Sequence, residues 1–126
     1  MLNSESIDGT LTCALEVQDL DASIEWYSKS LGFELIYRMD EIGWCEMKTP
    51  IEGVNVGLSQ VEKPQVKGGA TLTFGVKDID NLSKKFKSAQ IRLESDPYVV
   101  ADMVKLVTFY DPDGNKFMLA QMLKEM

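Results

Sequence analysis

Apolar and polar residues alternate along Leu11-Thr-Cys-Ala-Leu-Glu-Val17. Leu11, Cys13, Leu15 and Val17 point one way; Thr12, Ala14 and Glu16 point the other. A period of two predicts a strand with an apolar back and a small, more polar front. Leu20, Ile24, Tyr27 and Leu31 then recur at helical spacing. Asp19 or Asp21 caps this helix, and Gly32 ends it. Strands are predicted over 33–39, 44–48 and 54–61, with a turn at Asp40–Gly43 and a loop at 49–53 containing Pro50. In the last of them Val54, Val56 and Leu58 share one face, and Asn55, Gly57 and Ser59 the other.

A polar linker follows at 62–69, with Pro64 and the pair Gly68-Gly69. The same order then begins again. Leu72, Phe74 and Val76 alternate with Thr71, Thr73 and Gly75. Asp78 or Asp80 caps a second helix whose apolar face is Ile79, Leu82, Phe86 and Ala89. A weak strand is predicted at 96–100, a strong one at 104–110 and a last one at 116–122; Asp111-Pro-Asp-Gly-Asn115 is a tight turn between the last two. Val17-Gln-Asp-Leu-Asp21 and Val76-Lys-Asp-Ile-Asp80 lie 59 residues apart, as do Thr12 and Thr71. One supersecondary unit therefore occurs twice.

Composition narrows the function. The chain of 126 residues carries a net charge of −7 and no histidine. The acidic balance argues against nucleic acid, whose binding rests on Lys and Arg meeting phosphate. It also disfavours an anionic membrane surface, and no apolar run approaches the ~20 residues of a spanning helix. Without a basic, apolar leader at the N-terminus, a cytoplasmic location is expected. Lack of histidine removes the usual neutral-pH acid/base and the commonest metal ligand. Cys13 and Cys45 are expected as buried free thiols, with a Cys13–Cys45 disulfide the alternative. The Asp111-Pro-Asp113-Gly114 run lacks the further ligands of a calcium loop and reads as a hairpin turn.

Three motifs carry a resemblance. They are Leu15-Glu-Val-Gln-Asp-Leu-Asp21 with Trp26-Tyr27 and Leu31-Gly-Phe33, then Phe74-Gly-Val-Lys-Asp-Ile-Asp80, then Phe109-Tyr-Asp-Pro-Asp-Gly-Asn115. Together they resemble the vicinal oxygen chelate superfamily, also called glyoxalase/bleomycin-resistance/dioxygenase, over nearly the whole chain. The resemblance implies an α+β fold in a single domain spanning 1–126. In it two βαβββ modules, about 11–61 and 70–122, form a cup-shaped mixed sheet. It also implies a homodimer. Metal-dependent members take ligands from the first and last strands of each module. Those positions are Thr12, Gly57, Thr71 and Met118 here, and none suits a divalent metal: hydroxyls are weak ligands, Gly has no side chain and thioether sulfur is soft. The resemblance is therefore to the metal-free, bleomycin-resistance-like branch, with no cofactor.

On this reading Thr12, Ala14, Glu16, Asn55, Gly57, Thr71, Thr73 and Met118 line the cup, and small residues among them leave volume for a ligand. Trp44, with Tyr37, Tyr98 and Tyr110, offers stacking surfaces, and Met103, Met118 and Met122 an adaptable lining. Glu16 is the one weak catalytic candidate, as a base or as a partner for a cationic ligand group; a mouth-exposed carboxylate is the plainer account. The expected function is metal-independent binding of a small molecule, with drug or toxin sequestration as the implied role. Its rivals are a lyase, isomerase or dioxygenase of the same superfamily, and an interaction module with a filled cup.

Overall fold

The computed structural model describes residues 3–68 and 70–124; Gly69 of the expected Gly-Gly pair and the first two residues lie outside them. Contacts divide the chain into two compact units, Met1–Gln65 and Val66–Met126. The boundary falls inside the predicted linker.

The first unit runs β1 (Leu11–Val17), α1 (Leu20–Leu31), β2 (Glu34–Met39), a 3-10 turn at Asp40–Ile42, β3 (Trp44–Lys48) and β4 (Val54–Gln60). Its four-stranded sheet has the order β1-β4-β3-β2. β1 lies parallel to β4, and the other pairs are antiparallel. Helix α1 covers one face, packing on β2 and β4. Under it lie Val17, Leu20, Tyr27, Phe33, Cys45, Met47, Val56 and Leu58, all buried. Tyr27 stacks on Phe33 with centroids 5.8 Å apart. Leu11, assigned to this apolar back, is 67% exposed where the outer strand begins.

The second unit runs β5 (Leu72–Gly75), α2 (Ile79–Ser88), β6 (Arg92–Leu93), β7 (Tyr98–Val100), β8 (Val104–Tyr110) and β9 (Lys116–Met122). Its strand order is β5-β9-β8-β6, with β7 also on β8. Two features differ from expectation. Thr71 lies just before β5 rather than within it. The weak strand at 96–100 shortens to Tyr98–Val100, and β6 precedes it. β6 and β7 pair with the two ends of β8 as one edge strand interrupted between them. Pro97 sits in the gap, where a residue without an N–H cannot extend the ladder. Aromatic packing fills this core: Phe109 stacks on Phe117 at 5.2 Å and meets Phe86 edge-on at 5.1 Å.

The helix starts settle which aspartate caps. Asp19 accepts from Ala22 N–H, and Asp78 from Asn81 N–H. A second cap repeats as well. The backbone N–H of Leu20 donates to Gln60 Oε1 at 2.7 Å, and that of Ile79 to Gln121 Oε1 at 2.8 Å. Each glutamine stands near the end of its unit's last strand and ties that strand to the helix start, supplying an acceptor to an amide with no partner inside the helix. Gly32 closes α1 in the left-handed conformation, φ 73°.

Candidate functional site

In the first unit the face opposite α1 is the polar one. Facing residues across the ladders share a side, so one row holds Ala14, Gly57, Glu46 and Tyr37. The row beside it holds Glu16, Ser59, Trp44 and Met39, and the next holds Thr12, Asn55 and Lys48. The β2–β3 register shifts between Leu35 and Tyr37. That bulge places Tyr37 on this face opposite Glu46. Of the expected site residues, Thr12, Ala14, Glu16, Trp44, Asn55 and Gly57 therefore come together on one surface.

Glu46 is the hub of that surface. Its Oε2 accepts from Asn55 Nδ2 at 2.9 Å and from Thr12 Oγ1 at 3.2 Å. Its Oε1 accepts from the Tyr37 hydroxyl at 3.2 Å. The same hydroxyl accepts from Trp44 Nε1–H at 3.0 Å. Trp44 is thereby pinned with its ring laid over Gly57. A Cβ at Gly57 would stand 2.0 Å from Trp44 Cη2 and 2.5 Å from Cζ2, so only glycine leaves room for the indole. Glu16 lies at the end of this face, where its Oε1 accepts from the backbone N–H of Gln65 at 2.7 Å.

Sequence reasoning missed Glu46. The signal was present: Cys45 and Met47 are buried towards the helix, so period-two alternation turns Trp44, Glu46 and Lys48 to the other side.

In the second unit Thr73 faces Met118, and Met118 faces Thr108. Gly75, Ala120, Leu106 and Tyr98 form the adjacent row. Tyr98 and Met122 are exposed, as is Met103 beyond β7. At the end of the face the Arg92 guanidinium lies 4.1 Å from the Tyr110 ring centroid. The Tyr110 hydroxyl donates to Glu94 Oε1 at 3.0 Å, and that bond to a carboxylate pushes the phenol's pKa up.

The positions that the resemblance implies as metal ligands hold a hydroxyl at Thr12 and Thr71, no side chain at Gly57 and a thioether at Met118. Ala14 faces Gly57 and Thr73 faces Met118, so the two units place Gly57 and Met118 at equivalent points. One has no side chain and is covered by an indole; the other offers a thioether. Thr12 is engaged with Glu46. Among the described residues no three Cys, Asp or Glu side chains gather where they would hold a metal ion. Burial raises the pKa of both thiols, Cys13 and Cys45. Both cysteines are free, so the disulfide alternative is not realised.

The chain belongs to the Glyoxalase/Bleomycin resistance protein/Dioxygenase superfamily, whose profile matches residues 9–119. No curated protein sequence matches it. Among solved structures, a member of that superfamily from Sphaerobacter thermophilus DSM 20745 is similar with a TM-score of 0.78 at 22% identity, covering 91% of this chain and 98% of that one. TnmS3, an antibiotic binding protein from Streptomyces sp. CB03234, is similar at 0.73 and 19% identity, covering 93% and 98%. The genomically encoded fosfomycin resistance protein FosX from Listeria monocytogenes is similar at 0.74 and 19%, covering 91% and 93%. At these identities the likeness speaks for the fold, which hosts several chemistries.

Proposed function

We propose that this chain is a metal-independent small-molecule-binding protein that holds its ligand on the helix-free face of its first unit's sheet. One observation carries the reading: Trp44 occupies the space over Gly57, where a last-strand metal ligand would project. An aromatic surface stands in place of a Lewis acid. Thr12, Asn55 and Glu46 beside it provide hydrogen-bonding lining of the kind ligand sites use, and Thr73 and Met118 line the second unit's own sheet face. Sequestration of a drug or toxin in the cytoplasm fits such a surface, and the likeness to an antibiotic binding protein and a fosfomycin resistance protein supports it. A two-chain assembly belongs to the same reading, since β7 leaves Tyr98, Val99 and Val100 exposed along a sheet edge.

A thermal-shift screen tests this. It sets Zn²⁺, Ni²⁺, Mn²⁺ and Fe²⁺ beside a panel of small aromatic and antibiotic-like compounds, with light scattering on the same sample for the two-chain mass. A compound at about 100 times its Kd adds about 2.7 kcal/mol, which raises the midpoint by roughly 10 °C for a chain of this size. A compound from the panel is expected to stabilise in the presence of chelator, and the metals are not. A metal that stabilises at stoichiometric amounts and survives dialysis overturns the reading.

A further inference from the structure

Resting on that binding reading, we infer that the first unit's face selects ligands bearing a protonated amine on an aromatic body, with Glu46 receiving the ammonium and Trp44 the ring. Three observations carry this. First, Glu46 is half-buried, and its partners are three neutral donors: the Thr12 hydroxyl, the Asn55 amide and the Tyr37 hydroxyl. They fix the carboxylate in place without cancelling its charge. Among the described residues no cation lies within ion-pair distance of it, whereas Arg38, Lys29, Lys87 and Lys105 are all spent on other acids.

Second, a carboxylate offers about four acceptor directions, and three are taken, two on Oε2 and one on Oε1. The remaining one, on Oε1, lies on the same atom that Tyr37 uses. Third, Trp44 Nε1–H donates to that same Tyr37 hydroxyl. Indole, phenol and carboxylate are thus one hydrogen-bonded series, with the ring plane set by the absence of a side chain at Gly57. A fixed negative charge beside a fixed aromatic ring suits a cation twice over, through the ion pair and through attraction to the ring's π-face. An anionic ligand meets repulsion here, and a neutral one gains the ring alone.

The test compares three probes of one shape by tryptophan fluorescence and calorimetry in chelator: 2-naphthylethylamine, 2-naphthaleneethanol and 2-naphthylacetate. The amine is expected to bind about tenfold tighter than the alcohol, the size of a half-exposed ion pair plus a cation–π contact. The carboxylate is expected to bind weakest. Glu46→Gln keeps the shape and one of the two acceptor oxygens but removes the charge, and should cut the amine's advantage over the alcohol from about tenfold to the few-fold that the cation–π contact supplies. Trp44→Leu should weaken both, the amine by more, because it loses the cation–π contact as well as the ring. The wild-type probe ranking is a second readout that needs no variant to fold. Equal binding of the three probes, or an amine preference undiminished by Glu46→Gln, overturns the inference and leaves metal-independent binding standing. Binding of none overturns the inference, and the wider compound panel then decides the reading beneath it.

Discussion

Gly57 is where one residue decides the character of a surface. The indole of Trp44 lies where its side chain would be, so Gly57→Ala would put a Cβ 2.0 Å from Trp44 Cη2, a clash that only a displaced indole relieves. Overpacking of this kind costs about 1–3 kcal/mol. The expected outcome is a lower denaturant midpoint together with red-shifted tryptophan emission as Trp44 lifts into water; an unchanged spectrum would show that the indole is not seated there. The two thiols make a second residue-scale test. Burial raises both pKa values, and Cys45 is fully enclosed while Cys13 is only half-covered. A raised thiol pKa favours the folded state below the ordinary thiol range, and that contribution fades as pH climbs through the folded value. Stability is therefore expected to decline on the alkaline side of the ordinary thiol pKa, with a thiol reagent labelling Cys13 first and Cys45 only on unfolding. Simultaneous labelling in the native protein counts against this. What was legible at this scale were side chains whose face alternation alone determines, such as Thr12 and Asn55. Glu46 went unread because its role comes from three partners on three different strands, which no local pattern displays.

At the scale of elements the periodicities carried most of the fold. Trp44–Lys48, Val104–Tyr110 and Lys116–Met122 have the bounds their alternation predicts, and both helices lie where the 3.6-residue spacing puts them. β6 escaped because two residues show no period, and because Arg92 is a surface residue at a sheet edge. The glutamine caps escaped for another reason: Gln60 and Gln121 are distant in sequence from the helices whose first amides they satisfy. Ile79 is fully buried, so its N–H has no water to turn to. Gln121→Met keeps the volume and removes the acceptor, which should cost about 1–3 kcal/mol for an orphaned buried amide. Gln121→Glu retains an acceptor and should restore most of that loss in chemical denaturation. If both variants match the wild type, the helix start draws its support from Asp78 alone.

For the molecule as a whole, the charge of −7 sets two salt effects against each other. Self-repulsion among the acids loosens the folded state, and screening relieves it. The ion pairs pull the other way. Arg38 with Asp21 at 2.8 Å and with Asp40 at 2.7 Å, and Lys105 with Asp80 at 2.7 Å, are attractions that salt weakens. Distance decides between them. Raising salt from about 0.01 M to about 0.1 M shortens the screening length from about 30 Å to about 10 Å. Pairs in contact lie well inside either length and change little, and exposed pairs are worth only about 0–1 kcal/mol each. Repulsions acting over tens of ångströms are the interactions removed. The free protein should therefore melt a few degrees higher at the higher salt. Amine binding at Glu46 has the opposite sign, because screening weakens the pull of the net negative field on an incoming cation, whereas binding of the matched alcohol should stay constant. Melting curves and titrations across that salt range check both signs in one series. A midpoint that falls with salt would mean that the local pairs outweigh the repulsion, and an amine affinity indifferent to salt would mean that the net negative field does not draw the cation in.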